Sequence, residues 1–177
     1  PMTTVNVPRR WRRATLAAAA LLLALAGCAT LDEKQREWIF QPGDRTWAYG
    51  ASAAEGMSDV WIEFASREAD AAPIRLHGLW LPQTDPDAPV LLYLHGARYD
   101  VRSSAHRMRR MHQLGFSVLG IDYRGFGRST PALPSEELAH EDASAAWHWL
   151  AAQHPQAQRY LFGHSLGGAI AVRLAGE

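Results

Sequence analysis

The stretch "YLFGHSLGGAIAVRLAGE", residues 160–177, passes from an apolar run through a glycine-flanked serine into a second apolar run. Tyr160, Leu161 and Phe162 read as the end of a strand. Ala169, Ile170, Ala171, Val172, Leu174 and Ala175 read as a helix. A strand that turns sharply into a helix forces its middle residue, Ser165, into strained backbone geometry. Gly163 and Gly167 are needed two residues to either side, because side chains there would collide across the turn. Gly168 extends the glycine-rich corner. The serine hydroxyl then projects above the sheet, beside the free N–H groups of a helix start. A G-x-S-x-G pentapeptide by itself is a weak signal, so its meaning depends on its surroundings.

Upstream, two continuous apolar runs, "VLLYLHG" (90–96) and "GFSVLGIDYRG" (115–125), read as strands buried on both faces, as in a parallel sheet. Residues 103–114 lie between them with Met108, Met111 and Leu114 at helical spacing. A longer helix over 135–155 follows, with Ser135 as N-cap, Glu136 and Glu137 at the positive end of the dipole, and Pro155 as terminator. Ala139, Ala143, Trp147 and Leu150 mark its inner face. Earlier still, "DVWIEF" (59–64) and "IRLHGLWLP" (74–82) alternate like an antiparallel pair at a sheet edge. The rhythm predicts an α/β domain over residues 59–177, a mostly parallel sheet with flanking helices and an antiparallel pair at its start.

Three motifs in order, "YLHGAR" (93–98), "DYRGFGRS" (122–129) and the serine corner, resemble the α/β-hydrolase superfamily. The branch they are most similar to contains serine aminopeptidases and monoglyceride lipases, and "PSEELAHEDASAAWHWL" (134–150) is similar to it as well. The resemblance covers residues 59–177 and implies roles by position. Ser165 matches the nucleophile, and the backbone N–H groups of Leu166 and Ala97 match the oxyanion donors. His95, before Gly96, matches a structural residue beside the oxyanion loop. His164 matches the variable residue before the nucleophile, with a packing role expected. Asp122 and Arg124 match organisers of their loop. The run from Arg107 to Arg110 reads as a solvated helix face. Neither metal nor cofactor is implied.

A serine hydroxyl needs a base to take its proton. In this fold the triad runs serine, acid, histidine along the chain. The 12 residues after Ser165 hold one acid, Glu177, and no histidine. Glu177 continues the helix after the serine and cannot orient a base, while His140 and Asp142 belong to an earlier helix. The triad acid and histidine are therefore expected outside this chain, which reads as the N-terminal half of the fold, ending just after the elbow. Roughly another 80 to 120 residues would complete the domain. The expected function is hydrolysis of esters, thioesters or amides of small or lipid-like molecules through an acyl-enzyme on Ser165. Two alternatives stay open: a cofactor-free haloperoxidase or lyase on the same fold, and a non-catalytic envelope lipoprotein.

The first 27 residues have a separate logic. "RRWRR" (9–13) is a charged leader, and "ATLAAAALLLALA" (14–26) is an apolar run shorter than the roughly 20 residues that cross a bilayer. "LAGC", Leu25 to Cys28, then resembles the lipobox of bacterial lipoproteins, implying a signal peptide over 1–27 and a lipid on Cys28. An ordinary secretory peptide is the competing reading. Acyl chains on Cys28 would hold the protein at the periplasmic face of the cell envelope, and resemblance to enterobacterial lipoprotein sorting implies the outer membrane, since Ala29 follows the cysteine. Residues 28–58 read as an irregular lead-in. Cys28 is the single cysteine, so no disulfide forms within one chain. Without the leader's four arginines, 14 basic residues face 18 acidic ones, a balance that points to no nucleic-acid partner.

Overall fold

The computed structural model describes residues 9–68 and 72–176. The chain divides into two compact units between Gln35 and Arg36. The first is helical: α1 starts at Arg9 and continues to Phe40, whose closing residues belong to the second unit. Residues 29–40, expected as irregular chain, are thus helical. Leu31 to Phe40 contain neither glycine nor proline, and Leu, Glu, Lys, Gln and Arg all favour helix. The helix stops where Gln41 takes φ 47° ahead of Pro42 and Gly43. Among the described residues no helix is long and apolar enough to cross a membrane. A short helix, α2 (Gly50–Ala53), lies within the remainder of the lead-in.

Five strands follow in the second unit: β1 (Ser58–Ala65), β2 (Pro73–Leu81), β3 (Val90–Leu94), β4 (Ser117–Ile121) and β5 (Arg159–Gly163). Their order across the sheet is β1-β2-β4-β3-β5. β1 and β2 pair antiparallel from Ser58 opposite Trp80 to Ala65 opposite Pro73. β2 also meets β4 antiparallel, while β4, β3 and β5 run parallel. The expected antiparallel pair at one edge is therefore present. Helices α3 (Ala105–Gln113), α4 (Glu136–Gln153) and α5 (Leu166–Ala175) complete the unit, with a 3₁₀ turn over Val101–Ser104 leading into α3.

Strand alternation distributes the core onto two faces. Val90, Leu92 and Leu94 of β3 and Leu119 and Ile121 of β4 join Ala139, Ala143, Ala146 and Leu150 of α4 and Ile170 and Leu174 of α5. The intervening Leu91, Tyr93 and Val118 face Val101 and Met108 on the other side. Both faces being covered explains why β3 and β4 are buried at every position. Phe40 is buried in the larger cluster and anchors the start of the unit. Ser135 caps α4, its hydroxyl accepting from Leu138 N–H at 3.2 Å. Leu114 departs from the expected helix face and is 71% exposed. It is the residue on which α3 ends, and Gly115 at φ 100° then turns the chain, so helical spacing no longer applies to it.

Candidate active site

Ser165 stands between β5 and α5 with φ 55° and ψ −121°, a conformation that costs of order 1–3 kcal/mol and persists only where its surroundings impose it. The surroundings are visible at the two glycines. A Cβ on Gly163 would lie 2.1 Å from the carbonyl oxygen of Gly167, and one on Gly167 would lie 2.1 Å from that of Leu94. β5 and α5 thus touch each other across the corner, and α5 touches the end of β3. The corner is pinned by His164 N–H donating to Leu94 C=O at 3.0 Å. Gly167 N–H and Gly168 N–H turn back to the carbonyls of His164 and Ser165, at 3.0 and 2.8 Å. Leu166 N–H has no such acceptor among the described residues, and neither has Ala97 N–H.

The loop after β3 meets this corner. A Cβ on Gly96 would come within 3.2 Å of the Ser165 Cβ and 3.3 Å of the His164 carbonyl oxygen, so residues 95–97 lie directly against the serine. His95 itself is buried, with Nδ1 2.6 Å from the Gly96 carbonyl oxygen and its ring 4.7 Å from that of Tyr123. Burial, opposed by the charge of Asp122, holds its pKa below the usual imidazole value. Its Nε2 lies 3.8 Å from Asp122 Oδ1 and makes no hydrogen bond among the described residues.

Behind this loop Asp122 organises the ends of several strands. Its Oδ1 accepts from Val101 N–H at 2.6 Å and its Oδ2 from His77 Nδ1 at 2.9 Å. His77 Nε2 lies 2.8 Å from Asp59, which pairs with Arg128 at 2.7 Å. Arg124 is equally buried and pairs with Asp142 of α4 and Glu141, both at 2.6 Å. Asp142 is therefore occupied in tying α4 to the chain after β4, away from the serine.

Ser165 opens onto a cleft of about 480 Å³. Ala97, Arg98, His106, Arg107 and His164 line it, as do Gln41 and Trp47 from the lead-in. Among the described residues the three non-glycine residues with positive φ, Gln41 (47°), Arg98 (85°) and Ser165 (55°), all line this one cleft. Strain concentrates where function imposes a geometry that packing alone would not select. The lead-in is held in place by Arg98 N–H on Phe40 C=O (2.9 Å), Asp100 N–H on Arg45 C=O (3.0 Å) and Trp47 N–H on Ser103 Oγ (2.7 Å).

His164 is half-buried in the cleft wall beside Ser165, its ring close to Gly96. One expectation changes here. The run from Arg107 to Arg110 is not a uniformly solvated face: Arg107 lines the cleft and Met108 is in the core. Arg109 donates to the carbonyls of Ala53 (2.6 Å) and Glu55, and Arg110 is exposed. A helix between sheet and solvent, with a loop packed over one flank, presents each of four successive residues to a different environment. Sequence reasoning missed Gln41, Trp47 and His106. No periodicity marks them, but Asp100 three residues ahead of Ser103 is a legible cap, and its side chain accepts from Ser103 N–H at 3.1 Å.

A mostly parallel sheet whose strand breaks at a strained serine into a helix, with a second loop laid against that serine, is an α/β-hydrolase architecture. The chain belongs to the family described as "Serine aminopeptidase, S33", whose model matches residues 84–177. It is similar to an uncharacterized protein of Mycobacterium tuberculosis, 33% identical over 170 residues, covering 94% of this chain and 58% of that protein. It is also similar to the lysophosphatidylserine lipase ABHD12 of Xenopus tropicalis, 37% identical over 89 residues, 49% of this chain and 22% of the lipase. Among solved structures, the Pyrococcus furiosus esterase Pf2001 superimposes with a TM-score of 0.55 at 24% identity, over 75% of this chain and 51% of the esterase. The chain spans less than two thirds of the length of each of these relatives.

Proposed function

We propose that this protein is a serine hydrolase acting on esters of small or lipid-like molecules through an acyl-enzyme on Ser165, tethered to a membrane of the bacterial envelope by lipid on Cys28. The observation that carries the enzymatic reading is the φ of 55° at Ser165, facing a cleft at the head of α5. In this reading Ser165 Oγ attacks the substrate carbonyl carbon and its proton passes to a base. The resulting oxyanion is held by Leu166 N–H and Ala97 N–H, whose freedom from other acceptors suits them to it. Collapse expels the alcohol, which recovers the proton, and water then releases the acid by the same steps in reverse order. Among the described residues no imidazole hydrogen-bonds to the Ser165 hydroxyl. In the triad order of this fold the base and its orienting acid follow the serine along the chain. The named activities of the lipase and the esterase favour an ester.

The test is labelling of the purified protein with a fluorophosphonate probe. Covalent labelling that disappears in Ser165→Ala is expected, and labelling that survives the substitution removes Ser165 as nucleophile.

A further inference from the structure

The wall of the Ser165 cleft is basic without a matching acid. Arg107 reaches it from α3 and Arg98 from the loop after β3. His106 and His164 stand beside them. Among the described residues the one acid in the lining is Asp100, and both its oxygens are engaged. Oδ1 accepts from Ser103 N–H and Oγ at 3.1 and 3.0 Å, and Oδ2 from Thr46 Oγ1 at 2.5 Å and Arg102 Nε at 2.9 Å. Arg102 thereby offsets its charge. Arg98 donates Nε to the neutral Gln41 side chain at 3.1 Å. Among the described residues no carboxylate pairs with Arg98 or Arg107. The cleft's own imidazoles respond to this: burial, then the charge of Arg107, lowers the pKa of His106, and burial, Arg107 and His106 lower that of His164.

We infer that this cleft receives an acyl ester carrying an anionic group, a phosphate or a carboxylate, with Arg107 and Arg98 as the residues that select for it. The inference rests on Ser165 being the reacting group, since it is the serine's own cleft that is charged. A guanidinium offers several donors in a fixed fork that matches either anion in two-point fashion, and charge-assisted bonds of this type are about twice as strong as neutral ones. Arg107, half-buried, is screened less than the exposed Arg98, so it supplies more of the discrimination while Arg98 draws the anion in. An anion seated there also favours the charged forms of His106 and His164, raising their pKa values.

The test uses Ser165→Ala protein and titration calorimetry with three amphiphiles of one chain length: an alkyl phosphate, an alkyl carboxylate and the uncharged alcohol. The anions are expected to bind about tenfold or more tightly than the alcohol, and whichever binds tighter identifies the group. That advantage should fall about tenfold in Arg107→Gln, be partly restored in Arg107→Lys, and stay the same in Arg110→Gln, which alters an exposed charge on the same helix. Should Arg107→Gln fold poorly, Arg98→Gln reads the same advantage at smaller amplitude. NMR titration of His106 and His164 should show upward pKa shifts with the phosphate and none with the alcohol. Equal binding of all three amphiphiles, or an anion advantage untouched in Arg107→Gln, overturns the inference. Anion preference with no fluorophosphonate labelling of the wild type would instead remove the hydrolase reading and leave a charged binding cleft.

Discussion

Ser165 shows how one residue's backbone can hold more information than its side chain. Its φ of 55° is unfavourable for any residue with a Cβ, and glycine would relieve it. Ser165→Gly is therefore expected to raise stability by about 1 kcal/mol, read as a higher urea midpoint, whereas Ser165→Ala keeps the strain and should leave the midpoint near wild type. Equal midpoints for the two variants would show that the corner is not strained. Gly163 and Gly167 were legible from spacing alone, because a corner that tight leaves no room for a side chain. The touching partner was not: that Gly167 abuts Leu94 C=O depends on β3 and β5 being neighbours. His164 illustrates the limit from the other side. Its position in the motif says nothing about which wall its ring joins.

At the scale of elements, the strands and helices from residue 59 onward follow their sequence periodicity closely, since each strand's apolar pattern matches a core on one face or two. Ser135 and Pro155 bracket α4 for reasons of local hydrogen bonding and ring geometry that need no tertiary partner. What joins elements is less visible. His77 on β2 bridges Asp59 of β1 and Asp122 at the end of β4, with Arg128 3.4 Å from Nε2 and the Trp61 ring 5.1 Å away. A ring donating to two carboxylates must carry both protons. Burial opposes that charge, but the hydrogen bonds to Asp122 and Asp59 outweigh it, and the pKa of His77 is raised above 6.5. A raised pKa in the fold means stability that is complete below the unfolded value of 6.5 and lost as pH climbs through the folded one. The stability difference between wild type and His77→Gln, measured by urea unfolding from about pH 5 to 9, should accordingly be largest at the acid end and shrink upward. A difference independent of pH would mean that the ring is neutral.

The molecule as a whole combines a hydrolase-type scaffold with the long helix α1, proposed above to carry the lipidated Cys28. α1 carries the lipobox-like "LAGC", and the Cys28 thiol is exposed. On the proposed lipidation, Cys28→Ser should move the protein from the membrane fraction to the soluble fraction of its host, and unchanged membrane retention would refute acylation at that thiol. Read alone, the sequence determined the α/β class, the strand–helix rhythm, the serine corner with its two glycines and the capped α4, because each is set by contacts a few residues apart or by a periodicity of the chain itself. Only the tertiary structure decided that Gln41, Trp47, Arg98 and Arg107 share a cleft with Ser165, that residues 29–40 are helical, and that His77 joins three strands. Those facts depend on which distant segments become neighbours when the sheet order is β1-β2-β4-β3-β5. A pattern confined to neighbours along the chain carries no record of who lies across the sheet.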